Sequence, residues 1–235
     1  NGVLFPAAIT RMSLQTIQRD TGANPAWTIL WLHGLGADGN DFAPIVPELV
    51  RPRWPALRFI FPHAPVRPIT INGGMAMRGW YDITSLDFAS RQEDEAGIRA
   101  SIAEVEALIA AEGARGVPPE RIVLAGFSQG GAIALGAALR GEAALAGVVA
   151  LSTYLPIAHT TAAESTPAGR STPVFMAHGS MDPVVPAGLG AASRDALQRL
   201  GVTVEWRDYP MPHSVCAEEI RELGDWLEGV LFDTP

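Results

Sequence analysis

Six short β-branched runs interleaved with longer stretches of helical spacing constrain this chain more than any single residue does. TILWLHG (28–34), LRFIFP (57–62), RIVLAGF (121–127), GVVALS (147–152), PVFMAHG (173–179) and VTVEWRDYP (202–210) are predicted strands. Between them, apolar residues recur at helical spacing over 41–50, 93–112, 129–140, 187–200 and 215–230. Strand, helix, strand in this order predicts an α/β fold: a mostly parallel, twisted sheet with helices on both faces. With 235 residues, 48% of them hydrophobic, the chain can bury one substantial core, so a single domain over 1–235 is expected, its core about 28–230.

The stretch from Pro62 to about Ser90 is too long for an ordinary connection, and its Ile, Met and Trp content argues against disorder. STPAGRST (165–172) reads as a surface loop.

Composition removes whole chemistries. All 17 cationic side chains are arginine, so a lysine Schiff base, a Ser-Lys dyad and a P-loop lysine are excluded. A net charge of -8 leaves no cationic excess to neutralise phosphates, and nucleic acid is not expected as a partner. Cys216 is the only cysteine, which rules out an internal disulfide or a multi-cysteine zinc site and permits a reducing compartment; a cytoplasmic location is expected. The amino terminus, NGVLFPAAITRMSLQ, has no basic stretch leading into a long apolar segment, and no run of about 18 apolar residues occurs to span a bilayer. The chain therefore reads as soluble, without integral membrane association, and its first residues as a remnant of expression or of a trimmed leader.

At the end of the third run stands IVLAGFSQGG (122–131), a G-x-S-x-G pentapeptide between a predicted strand and a predicted helix. A chain this rich in glycine yields roughly 0.1 such matches by chance, so the strand-turn-helix context carries the reading. A tight turn there holds Ser128 toward a ligand at the carboxyl ends of the strands, and glycines at 126 and 130 leave room where side chains would collide. The plainer reading is a helix start that tolerates serine.

A serine hydroxyl needs a base, and the base an orienting acid, in the chain order Ser, acid, His. His178 lies in or at the end of an apolar strand and suits packing, while His159 falls in a polar loop with no acid at a neighbouring strand end. His213, in the turn PMPH before the last helix, is the candidate base, with helix capping as its plainer role. Asp182 in HGSMDPVVP leaves a strand end, unlike Asp195 and Asp208, and is the candidate acid beside the reading of a plain Asp-Pro turn. Backbone N–H groups of Gln129 and of Leu35, in HGLGADGND, are candidate oxyanion donors. His33 is expected to brace that turn and Cys216 to pack on the core. No metal cluster or dinucleotide fingerprint accompanies these parts, so neither a metal nor another cofactor is expected.

HGLGADGND, FPHAPVRPITINGGMAMRGWYDI, QEDEAGI, GFSQGG, HGSMDPVVP and YPMPHSV together resemble the carboxylesterase and acyl-protein thioesterase (phospholipase/carboxylesterase) family of α/β-hydrolases, from about 28 to 227. The loop VRPITINGGMAMRGWYDI is similar to that of the bacterial carboxylesterase branch. The resemblance implies an α/β-hydrolase fold without a large lid, with Ser128, Asp182 and His213 as a triad. It implies a loop carrying Met75 and Trp80 that flanks an acyl site, although ordinary core packing of both stays open. It also implies a small-molecule ester substrate and a possible homodimer. The first functional reading is a serine hydrolase that cleaves carboxylic esters of small to medium acyl groups through an acyl-enzyme. The alternative is an acyl-protein thioesterase or lysophospholipase for long chains, using the same residues. A noncatalytic binding homologue would be marked by a missing triad member, and none is missing.

Overall fold

A run that is apolar at every position suits a strand covered on both faces. In the computed structural model, which describes residues 14–90 and 92–232, five of the six runs become the middle of one sheet and the sixth, 202–210, becomes an edge strand. The leading residues 1–13, whose origin was an expectation above, lie outside the described residues. In chain order the strands are β1 (Thr16–Asp20), β2 (Trp27–Leu32), β3 (Leu57–Pro62), β4 (Val66–Ile69), β5 (Met75–Arg78), β6 (Ile122–Phe127), β7 (Gly147–Leu151), β8 (Val174–Gly179) and β9 (Val204–Tyr209). The α-helices are α1 (Val46–Leu49), α2 (Glu95–Ala114), α3 (Gln129–Arg140), α4 (Ala158–Glu164), α5 (Pro167–Ser171), α6 (Ala187–Arg199) and α7 (Ala217–Phe232).

Seven strands pair in the order β1-β3-β2-β6-β7-β8-β9, all neighbours parallel except β1, which runs antiparallel to β3. Alternate residues of the central strands feed two cores. Leu30, Leu32, Ile122, Leu124, Val148 and Ala150 pack with Ile98 and Ile102 of α2, Ile133 of α3 and Leu197 of α6. The residues between them, such as Ile29, Trp31, Val123, Ala125, Val149 and Leu151, pack with Leu49 of α1 and with Leu223, Leu227 and Leu231 of α7. Each central strand therefore buries side chains on both faces, which is why these runs show no polar alternation.

Two expectations differ from the structure, and a third gains detail. The helix expected over 41–50 shrinks to a 3-10 turn, Ala43–Ile45, and the four-residue α1, because Pro44 and Pro47 cannot donate to a longer ladder. Segment 165–172 is not a loop: α5 forms there, its Gly169 N–H capped by Thr166 Oγ1 at 2.8 Å. The long 62–90 stretch holds an antiparallel hairpin, β4 with β5, apart from the main sheet. Among the described residues no helix is long and apolar enough to cross a membrane.

Candidate active site

The carboxyl end of β6 carries Ser128 at φ 55°, ψ −122°, a conformation that costs an L-residue free energy and so must be imposed by its surroundings. Ser128 N–H donates to Leu151 O at 2.9 Å, and Ser128 O accepts from Thr153 Oγ1 at 2.6 Å and from Ala132 N–H at 3.1 Å. The flanking glycines are required by close approach: a Cβ on Gly126 would lie 2.4 Å from Gly130 C, and one on Gly130 would lie 2.3 Å from Leu32 O.

His213 brings its Nε2 to 3.0 Å from Ser128 Oγ and its Nδ1 to 2.6 Å from Asp182 Oδ2. An ionised carboxylate can only accept, so Nδ1 carries the hydrogen and Nε2 of the neutral ring is left to accept from the serine. The other carboxylate oxygen of Asp182 accepts Val184 N–H at 2.8 Å and Val185 N–H at 2.9 Å. The loops that carry Asp182 and His213 are joined by Ser180 N–H to Tyr209 O at 2.8 Å and Met181 N–H to Met211 O at 3.2 Å. Phe127 lies against the imidazole, ring centroids 4.7 Å apart, and is itself backed by Phe42 at 5.5 Å.

Gln129 opens α3, where a helix leaves its first N–H groups without an intrahelical partner. Leu35 sits on the β2 loop, which Gly36 N–H ties to Arg78 O at 2.8 Å. Both residues border the cavity that opens on Ser128. His33 braces this loop: Nε2 accepts Ala64 N–H at 3.0 Å, so Nδ1 carries the hydrogen toward Gly34 O at 2.7 Å, and burial holds its pKa below the usual histidine value. His178 is buried in β8, His159 is exposed on α4, and Cys216 is a free thiol packed against the α7 side of the core.

The loop that carries Met75 and Trp80 flanks this cavity through Ile71, Asn72, Tyr81 and Ile83, whereas Met75 and Trp80 themselves do not line it. Trp80 is fully buried, its indole N–H donating to His33 O at 2.8 Å, so the ring supports the site from within the core. Met75 is 65% exposed at the start of β5, and neither side chain borders the cavity. The cavity, about 170 Å³, is lined by Ile71, Ile83, Leu86, Phe88 and Val185 with the hydroxyl pair Tyr81–Tyr154, 2.5 Å apart. On the other side, His213 borders a wider cleft of about 390 Å³ with Asp41, Glu48 and Val215. The side chain of Gln129 also escaped the sequence reading: its Oε1 accepts Trp80 N–H and its Nε2 donates to Tyr81 O, both at 2.7 Å, pinning the long loop to the head of α3. Only its place beside the serine hinted at a role. Among the described residues no group of three or more His, Cys, Asp or Glu side chains is arranged to hold a metal ion.

A largely parallel sheet of this order, with helices on both faces, is the architecture of an α/β-hydrolase. The chain belongs to the phospholipase/carboxylesterase family, whose profile matches residues 15–231. It is 43% identical over 227 residues to acyl-protein thioesterase 1 of Mycosarcoma maydis, covering 90% of this chain and 94% of that one. It is 45% identical over 208 residues to acyl-protein thioesterase 1 of Neurospora crassa, covering 85% of each. Among solved structures it resembles Zea mays acyl-protein thioesterase 2, with TM-score 0.80, 30% identity, and 93% and 99% of the two chains covered. The family expectation holds, but these relatives are fungal and plant thioesterases and not bacterial carboxylesterases. The class is that of enzymes hydrolysing ester or thioester bonds.

Proposed function

We propose that the chain is a serine hydrolase of acyl thioesters, acting also on carboxylic esters. Ser128 Oγ attacks the acyl carbonyl while His213 Nε2 takes its proton, and Asp182 holds the imidazole in the required tautomer. Backbone N–H groups of Gln129 and Leu35 stabilise the oxyanion. Collapse expels the thiol, protonated by His213, toward the cleft that borders it, and water releases the acyl group from Ser128 by the same route. The observation that carries this reading is the Asp182–His213–Ser128 hydrogen-bond chain at the mouth of an apolar cavity. The thioesterase names of the relatives favour an acylated cysteine over the small carboxylic ester of the first reading. One free cysteine and no need of a disulfide suit the cytoplasm.

The cavity, about 170 Å³, is close to the ~150 Å³ apolar space that admits one benzene ring. It therefore takes about six to eight carbons, and a longer chain runs out past exposed Leu86. A series of S-acyl cysteine esters from acetyl to palmitoyl tests this. At about 0.8 kcal/mol per buried CH₂, kcat/KM should climb up to about fourfold per CH₂ as far as octanoyl and then level. Equal rates on acetyl and octanoyl, or full activity in Ser128→Ala, would overturn the reading.

A further inference from the structure

His178 has no part in the chemistry above, yet its position is an expensive one for an imidazole. It is fully buried near the end of β8, with its ring stacked on Trp206, centroids 6.1 Å apart and planes at 18°. A buried polar atom costs free energy unless it is hydrogen-bonded. The Nε2 atom lies 2.8 Å from Val185 O and 3.6 Å from Asp182 Oδ2. Both oxygens are acceptors, so Nε2 carries the hydrogen. The other nitrogen, Nδ1, is buried without a partner, against a helix so close that a Cβ on Gly190 would lie 2.5 Å from it. A leucine or phenylalanine would serve packing alone without an orphaned nitrogen, so the Nε2 side holds the reason for this residue.

Val185 links that side to the site. Its carbonyl accepts from His178, and its N–H donates to Asp182 Oδ1 at 2.9 Å. Asp182 Oδ2, the atom bonded to His213, is thus faced by a second imidazole N–H. We propose that His178 is a positioning residue for Asp182, whose Nε2–H locks the Val185 peptide and, through it and across the short gap to Oδ2, holds the carboxylate in register with His213. The proposal rests on the triad roles given above. Those roles set the effect expected on turnover, whereas the Asp182–His213 bond can be observed without any turnover.

The test compares the full chain carrying His178→Leu, His178→Gln and His178→Asn. Glutamine can place an amide N–H near the position of Nε2, whereas asparagine is too short and leucine has no donor. Measured are kcat and KM on an S-octanoyl cysteine ester, thermal unfolding, and the downfield proton NMR signal of His213 Nδ1–H. A carboxylate displaced by a fraction of an ångström should lower kcat by about 10- to 100-fold in His178→Leu while KM stays within about twofold. The downfield signal should move or broaden, and His178→Gln should recover most of the loss while His178→Asn does not. A folded His178→Leu with unchanged kcat and an unchanged signal would overturn the proposal. So would glutamine and asparagine variants equally impaired, a comparison that remains decisive if the leucine variant fails to fold. A parent enzyme without hydrolytic activity but with a signal that His178→Leu perturbs would instead refute the functional reading and leave the positioning role standing.

Discussion

Replacing Ser128 by alanine and by glycine separates what its hydroxyl does from what its backbone endures. Both variants lose Oγ and its 3.0 Å bond to His213, so both should lose nearly all turnover, keeping only what the oxyanion donors and binding supply. They differ in the backbone at φ 55°, ψ −122°. Alanine keeps the Cβ that makes this conformation costly, by about 1–3 kcal/mol, and glycine removes it. Glycine also loses more conformational freedom on folding, by about 0.5–1 kcal/mol. At the residue before a helix glycine is in addition the better of the two. Ser128→Gly should therefore be more stable than Ser128→Ala by about 1 kcal/mol, or about 2–4 °C in Tm for a chain of this size. Urea denaturation of the two inactive proteins side by side, with equal slopes, measures the difference. If alanine proves as stable as glycine or more so, the strain at the elbow is not real, and the argument that Gly126 and Gly130 exist to permit it fails as well.

Gln129→Leu removes the acceptor of the buried Trp80 N–H, which should cost about 1–3 kcal/mol in chemical denaturation; a loss under about 0.5 kcal/mol would mean that the long loop is held by other contacts. Burial pushes the Glu219 carboxyl up to about 7. The folded chain then binds this proton more tightly than the unfolded one, so the stabilisation is full below about pH 4.5 and is lost as pH rises through about 7. Glu219→Gln should accordingly gain on the parent between pH 5 and pH 8, by up to about 3 kcal/mol at pH 8. Parallel stability curves for the two proteins across that range would refute this.

Strands buried on both faces were legible because apolar residues dominate them, with only Thr28, Arg58 and His178 as polar exceptions: β2, β3, β6, β7 and β8 fall within or along the predicted runs. The edge strand β1, TIQRD, is exposed at four of its five positions and resembles a polar loop. The hairpin strands, VRPI and MAMR, are short, one contains proline, and they bury little. At the site, Ser128, Asp182 and His213 could be selected because each follows a strand whose end lies at one rim of the sheet. The cavity could not be read in the same way. Ile71, Phe88, Tyr81 and Tyr154 come from segments without periodicity, and their meeting depends on how the 62–90 stretch folds back on the sheet. For Met75 and Trp80 the resemblance points to a loop beside the acyl site, and their apolar character says that a side chain seeks cover but not which cover it finds.

The bonds between the 180–181 and 209–211 backbones extend the β8–β9 pairing past the end of the sheet. Aspartate and imidazole therefore ride on one stitched beam, while Ser128 sits at the end of β6, across the intervening β7. A shift of this edge relative to β6 would stretch the serine–imidazole contact, which spans the sheet, before the aspartate–imidazole contact, which lies within the edge. A molecule so displaced would still hold its ring proton on Nδ1 against Asp182, with no tautomer exchange to wait for when the gap closes.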